Sequence, residues 1–286
     1  ENYPDAIHQK SIQIALSEAW LNAEKFAECQ EHLKIANTLK NTAEDLRTRS
    51  QFIQASLFEH EGLHIKAAAL FLRVGQTSKN RTTVLKSLLK SAIAFKQAKE
   101  YANCEIALKT LIQKGRSEYF DDALFELIQC YRLWHKHQKA IETIDRLAKE
   151  GQKPKLKKHA LYIKGECFVA LGEMNAAITA YNDYINIYTG MPEHATLRYK
   201  IFIIQYTSLN NSDLAMKTLE FIIEKDKESA PQVYSDALHQ KALMLQLQGN
   251  TRESIKLWQQ FLEFNNENTH SLTAEIKLHL AAAYDN

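Results

Sequence analysis

The chain has 286 residues, 36 of them Lys or Arg and 34 Asp or Glu, with only 8 Gly and 4 Pro. This near balance of charge excludes the basic footprint that a nucleic-acid binder needs. So few turn formers exclude a sheet-rich fold and predict long helices with short connections, and no apolar run reaches the roughly 18 residues of a membrane span.

The sequence repeats itself at intervals of 36 to 39 residues, with copies beginning near 10, 48, 85, 121, 158, 196 and 235. In chain order, the first copy carries large Trp20, small Cys29 and large Leu33, and the second carries Phe58, Ala67 and Phe71. The third has Phe95, Cys104 and Leu108, and the fourth Tyr131, Ala140 and Ile144. The fifth has Phe168, Ala177 and Tyr181, the sixth Tyr206, Ala215 and Leu219, and the seventh Leu245, Ser254 and Trp258. A partial copy, 271–286, offers Ser271 as a cap and puts Ala281 and Tyr284 on the small and large columns.

Each copy reads as two helices joined by a turn. In the fifth, Leu161, Gly165 and Phe168 fall at helical spacing, and so do Ala177, Ile178, Tyr181 and Ile185. Between the two segments lies turn chemistry, LGEMN at 171–175, with LNNSD at 209–213 and LQGNT at 247–251 in later copies. Small residues on the Gly165 and Ala177 columns predict a close approach of antiparallel helices, and Gly172 predicts a left-handed residue ending the first of them. Pro154, Pro192 and Pro231 each stand four residues before a copy, which places the added length in an N-terminal extension of the first helix. Ser117 and Thr42 are the expected caps of two other extensions. Lys277, His279 and Asp285 make the last helix only partly polar outside, and ENYPDAI is short for a cap. The chain is therefore expected to be a segment of a longer array.

The spacing of Gly165, Phe168, Gly172, Ala177 and Tyr181 resembles the signature of the tetratricopeptide repeat family, and the likeness runs from residue 10 to 270. The long units, with PEHA leading into a helix, look like those of bacterial cell-envelope members of that family. The resemblance implies an all-α, right-handed solenoid superhelix of seven helix pairs plus a terminal helix, a single domain over 1–286. It implies a non-catalytic scaffold, without cofactor or metal, holding a segment of a partner protein or peptide in a concave groove, within a larger assembly. The envelope likeness favours the periplasm over the cytoplasm. On this geometry the groove is lined by Phe52, Ser56, Leu89, Ile93, Lys96, Phe125, Gln129, Arg132, Tyr162, Glu166, Lys200 and Ile204. Phe52, Phe125 and Tyr162 have a second reading, simple packing against neighbouring helices. Chaperone-binding members clamp a carboxylate with Lys and Asn at two of these positions. None of the pairs here, from Ile14/Glu18 to His239/Leu243, is Lys with Asn, so that specificity is rejected.

Other features have plainer readings. HEGLH at 60–64 matches H-E-x-x-H, which in zinc peptidases needs both histidines on one helix. Here the register puts Gly62 in a turn, so the match reads as coincidence. A metal-dependent hydrolase using His60, Glu61 and His64 is the alternative function, with a peptide-sensing regulator as a third. Cys29, Cys104, Cys130 and Cys167 lack C-x-x-C spacing and read as small core residues. His135 and His137 are expected at the surface of a turn. The basic stretch 153–159 is expected to be a solvated helix start, or less favourably a patch for an acidic partner. Triplets from Asn80 and Asn210 fit the glycosylation pattern, unremarkably for this length. No phosphate loop, nucleophile elbow or inward pair of carboxylates gives an enzymatic reading residues to stand on.

Overall fold

The computed structural model describes residues 4–39, 43–265 and 271–284. All regular elements among them are helical. The chain divides into two compact units, Glu1–Ala160 and Leu161–Asn286. The first holds four helix pairs: α1 (Pro4–Asn22) with α2 (Phe26–Thr38), α3 (Glu44–His60) with α4 (His64–Thr77), α5 (Arg81–Gln97) with α6 (Tyr101–Gln113), and α7 (Phe120–Leu133) with α8 (His137–Glu150). Helix α9 (Pro154–Leu171) begins there and contributes most of its length to the second unit. That unit continues with α10 (Met174–Ile187), α11 (Glu193–Ile203), α12 (Ser212–Lys225), α13 (Pro231–Leu247), α14 (Thr251–Phe264) and α15 (Thr273–Tyr284).

The small column makes these pairs possible. Cys29, Ala67, Cys104, Ala140, Ala177, Ala215 and Ser254 are all 0% exposed. Leu33, Phe71, Leu108, Ile144, Tyr181, Leu219 and Trp258, four residues on and one turn away, are buried beside them. Across the fifth pair, a Cβ placed on Gly165 would lie 2.2 Å from a ring carbon of Tyr181, so no side chain fits there. Interiors this dense leave little slack.

Every turn within a pair uses one device. Glu24, Gly62, Lys99, His135, Gly172, Asn210 and Gly249 hold the same place in their copies, and all have positive φ. In six copies the next N–H reaches back to the carbonyl of the first large column, as from Glu173 to Phe168 at 2.9 Å and from Leu63 to Phe58 at 2.8 Å. This is the Schellman closure of a helix end.

The sixth copy departs from the pattern. Helix α11 runs into a π-helical turn, Ile204–Ser208, in which the Leu209 N–H reaches the Ile204 carbonyl at 3.0 Å. The Asn211 N–H then goes to Gln205 rather than Tyr206. One extra residue is absorbed, so the register expected from Tyr206 slips by one over the preceding turns. Ile204 turns into the core, and Ile203 takes the outward place.

The prolines stand as expected, Pro154 and Pro231 opening α9 and α13 and Pro192 in the N-cap position of α11. The expected caps differ. Ser117 does not cap α7, which starts at Phe120 after Tyr119, and its hydroxyl is buried without a partner. Ser271 lies two residues before α15 rather than at its cap, and Thr42 falls outside the described residues. The capping side chains are Asn80, accepting from the Thr83 N–H at 3.0 Å, and Asn211, accepting from Leu214 at 3.1 Å. Asp121 of α7 also accepts the Gln152 and Lys153 N–H groups at 2.5 and 2.6 Å just before α9. On α15 the small and large columns, Ala281 and Tyr284, are exposed, in contrast to their buried counterparts on α13, Ala242 and Leu245.

Candidate functional site

The first helices of successive pairs are joined by a ladder of ion pairs. In the first unit Arg49 of α3 grips both carboxylate oxygens of Glu18 on α1, at 2.9 and 2.6 Å. Lys90 of α5 meets Glu59 of α3 at 2.7 Å, and Lys96 meets Glu126 of α7 at 2.5 Å. In the second unit Lys200 of α11 meets Glu166 of α9 at 2.7 Å. Each pair is half-buried. Desolvation and water screening hold each contribution to about 0–1 kcal/mol, so the ladder sets register and local charge more than stability.

The second unit gathers three of the predicted groove residues. The Lys200 ammonium donates to Glu166 and to the Tyr162 hydroxyl at 3.0 Å, and lies 4.9 Å from the centre of the Tyr162 ring. Burial alone would lower the Lys200 pKa, but its bonds to Glu166 and Tyr162 together outweigh that and hold it above the ordinary lysine value. Burial pushes the neighbouring Tyr181 phenol up to about 12. Beside them a cavity of about 260 Å³ is lined by Glu166, Val169, Tyr181, Lys200, Ile203 and Ile204. Val169 is 37% and Ile203 42% exposed, so its mouth is apolar, whereas Ile204 is only 5% exposed.

In the first unit the predicted positions are more scattered. Phe52 meets Phe71 edge-on at 5.2 Å and carries the Lys86 ammonium 5.3 Å from its ring centre. Ser56 is buried and donates to the Phe52 carbonyl within its own helix, so it offers nothing outward. Leu89 and Ile93 are half-buried on α5. Phe125, Gln129 and Arg132 are half-buried on α7, with the Phe125 ring 6.2 Å from His159. Tyr162 in turn meets Tyr184 edge-on at 6.0 Å. The aromatic residues therefore pack against neighbours and keep part of their surface. Sequence reasoning missed Arg49, Glu59, Lys90, Glu126, Val169 and Ile203. A signal existed for the charges: the partners of the ladder stand 31, 31, 30 and 34 residues apart, each a few residues short of one repeat.

The remaining motifs resolve structurally. His60 ends α3 and His64 opens α4, with Gly62 at φ 73° between them, so HEGLH lies on two helices. The His60 ring stacks on Phe26 at 3.5 Å. No group of three His, Cys, Asp or Glu among the described residues is placed to hold a metal ion. All four cysteines are buried and none forms a disulfide, and burial pushes Cys29 up to about 11. The His135 and His137 rings lie 5.9 Å apart at the turn. Lys153 is tied to Asp122 at 2.5 Å, while Lys155 is exposed. Asn80 of the first glycosylation-like triplet is spent on its cap. No helix among the described residues is long and apolar enough to cross a membrane.

Residues 159–189, the α9–α10 pair, match the tetratricopeptide repeat family model. No curated protein matches the chain. Among solved structures, it is similar to the C-terminal part of a TPR repeat-containing protein from Cytophaga hutchinsonii, with TM-score 0.66, 12% identity, and 92% of this chain and 98% of that one covered. A tetratricopeptide repeat protein from Parabacteroides merdae gives 0.54 at 14% identity, covering 97% and 99%. The structure of Naa15/Naa10 bound to HypK-THB gives 0.56 at 13%, covering 96% of this chain and 39% of that chain. Identities this low speak to fold alone. The chain is thus built on the tetratricopeptide repeat fold, and its fifth helix pair is a tetratricopeptide repeat.

Proposed function

We propose that the chain is a non-catalytic scaffold, a single repeat array that binds a segment of a partner protein along its first helices. The observation that carries this reading is the second-unit cluster, where Glu166 and Lys200 line one cavity with the exposed Val169 and Ile203, and Tyr162 accepts a hydrogen bond from Lys200. An apolar mouth with a few fixed polar groups is the composition of a recognition site. Because Glu166 already neutralises Lys200, an apolar side chain of the partner is the expected anchor, and the spare N–H of the ammonium is available to a backbone carbonyl. Phe125, Gln129, Arg132, Phe52, Leu89 and Ile93 form the corresponding surface of the first unit. A structure similar in fold, that of Naa15/Naa10 bound to HypK-THB, is a complex, which supports a place in a larger assembly. The long unit supports a bacterial envelope address on the periplasmic side. Fractionation of the host tests that, and recovery with the cytosol would reject it.

The groove reading is tested by crosslinking the protein in extracts of its host and identifying the partner by mass spectrometry. Tyr162→Ala and Ile203→Asp are each expected to cut recovery at least tenfold, the scale of an anchor worth about 1.4 kcal/mol or more. Recovery equal to wild type from both folded variants would reject the site.

A further inference from the structure

Helix α1 is apolar on two opposite sides. Ile14 and Ser17 are buried and Leu21 is half-buried on the side that faces α2 and α3. On the other side Ile12, Ala15, Leu16 and Ala19, with Ala23 in the turn that follows, stand exposed at helical spacing. Ile12 is 57% and Leu16 38% exposed. The row carries no charge, and the charges beside it are spent elsewhere. Lys10 is buried and donates to the Leu39 carbonyl at 3.0 Å, and Glu18 is held by Arg49. A helix at the surface ordinarily turns polar residues outward, and one that is apolar all round belongs between neighbours.

Later first helices of the same unit bury this face. Ser50, Ser87 and Ala123 stand on the Ile12 column, and Leu57, Ala94 and Cys130 on the Ala19 column, and all are buried. That face meets the second helix of the preceding pair. The Ser50 hydroxyl donates to Asn37 of α2 at 2.8 Å, Ser91 to the Ala68 carbonyl of α4 at 2.9 Å, and the Cys130 thiol to the Tyr101 carbonyl of α6 at 3.5 Å. No helix among the described residues precedes α1, so its row is a packing surface left open. The order of side-chain sizes along the row indicates its occupant. About a two-fold axis crossing α1 between Ser17 and Glu18, Ile12 of one copy faces Ala23 of the other, and Leu16 faces Ala19. Each large side chain thus meets a small one, the arrangement that lets two faces interdigitate.

We propose that the outer row of α1 is the interface of a homodimer, in which two copies of the helix pack antiparallel. One helix from each copy makes an interface at the small end of the known range, below ~1,200 Å², where association is weak and reversible. The contact uses no residue of the Tyr162, Glu166 and Lys200 cluster.

The test is sedimentation equilibrium of the full chain over about 1–100 µM, the range of affinity open to a small interface. A reversible monomer–dimer equilibrium is expected. Leu16→Glu is expected to raise the dissociation constant at least tenfold. Its side chain is exposed in the single copy, so the fold is expected to survive, as circular dichroism checks. Ala19→Leu separates fitted packing from plain stickiness. It adds apolar surface but fills the space that Leu16 of the other copy takes, so it too is expected to weaken the dimer at least tenfold. Leu278→Glu, on an exposed side of α15, is expected to associate as the wild type does. A wild-type protein that stays monomeric throughout the range would overturn the proposal. So would a dimer that Leu16→Glu leaves intact, that Ala19→Leu leaves unchanged or tightens, or that Leu278→Glu abolishes.

Discussion

At the scale of single residues, two kinds of position carry the repeat, the small contact and the left-handed turn. Gly165 faces a rigid ring, with its missing Cβ 2.2 Å from Tyr181, and the neighbour has no flexible end to give way. Gly165→Ala is therefore expected to destabilise by about 1–3 kcal/mol, the usual cost of overpacking. Urea denaturation checks this, and a midpoint shift near zero would contradict the packing. The turn column behaves differently. Gly62, Gly172 and Gly249 have open space where a Cβ would stand, so their role is conformational alone. Lys99, at φ 61° in the same place, lacks that freedom. The left-handed penalty of ~1–2 kcal/mol, less the ~0.4–1 kcal/mol that glycine adds to unfolded-chain entropy, makes Lys99→Gly stabilising by about 0.5–1 kcal/mol. Thermal unfolding of the two proteins side by side measures it, and a destabilised variant would count against the turn assignment.

At the scale of elements, α11 shows what periodicity cannot report. The sequence columns run on through Tyr206 without a gap, because one inserted residue in a helix costs only a local bulge. The shift appears only in which carbonyl the turn amide selects, Gln205 in place of Tyr206. Ile203 and Ile204 consequently exchange roles: column counting expects Ile204 to face outward, whereas Ile204 is buried and Ile203 exposed. Caps illustrate a second limit. Asp121 closes the chain before α9 from 31 and 32 residues away, a partner no local pattern names, while the Ser117 hydroxyl, with the right chemistry locally, is buried instead. The second unit holds the most buried of the described ion pairs, Arg198 of α11 with Asp226 after α12, at 2.9 and 3.0 Å to the two oxygens. Asp226→Ala leaves the guanidinium half-covered and unmatched. The expected loss is about 2–4 kcal/mol, below the ~3–5 kcal/mol of a fully buried pair. Denaturant titration reads the loss, and Arg198→Met in the Asp226→Ala background should restore part of it.

At the scale of the whole molecule, the helix contacts among the described residues of each unit run between a pair and its sequential neighbours, so stability within a unit is a sum of pair and interface contributions. Within the first unit α5 meets α4 of the preceding pair and α7 of the following one, whereas α1 among the described residues meets α2 and α3. Amides of α5 are therefore expected to exchange more slowly than those of α1. Hydrogen exchange read by mass spectrometry decides it, and uniform protection across the unit would argue against nearest-neighbour stacking.

The sequence by itself determined the helical class, the seven pairs with an eighth first helix, the column of small contacts, the turn residues and the division of HEGLH between two helices. Those features follow from short-range rules, the 3.6-residue period and the left-handed turn, repeated often enough to be unmistakable. Only the tertiary structure decided which half-exposed side chains share a surface, how α11 absorbs its extra residue, and that basic residues and glutamates on successive first helices form a ladder. Those depend on contacts between residues some thirty positions apart, where a single-residue slip or a chosen rotamer changes the partner while leaving the local pattern intact.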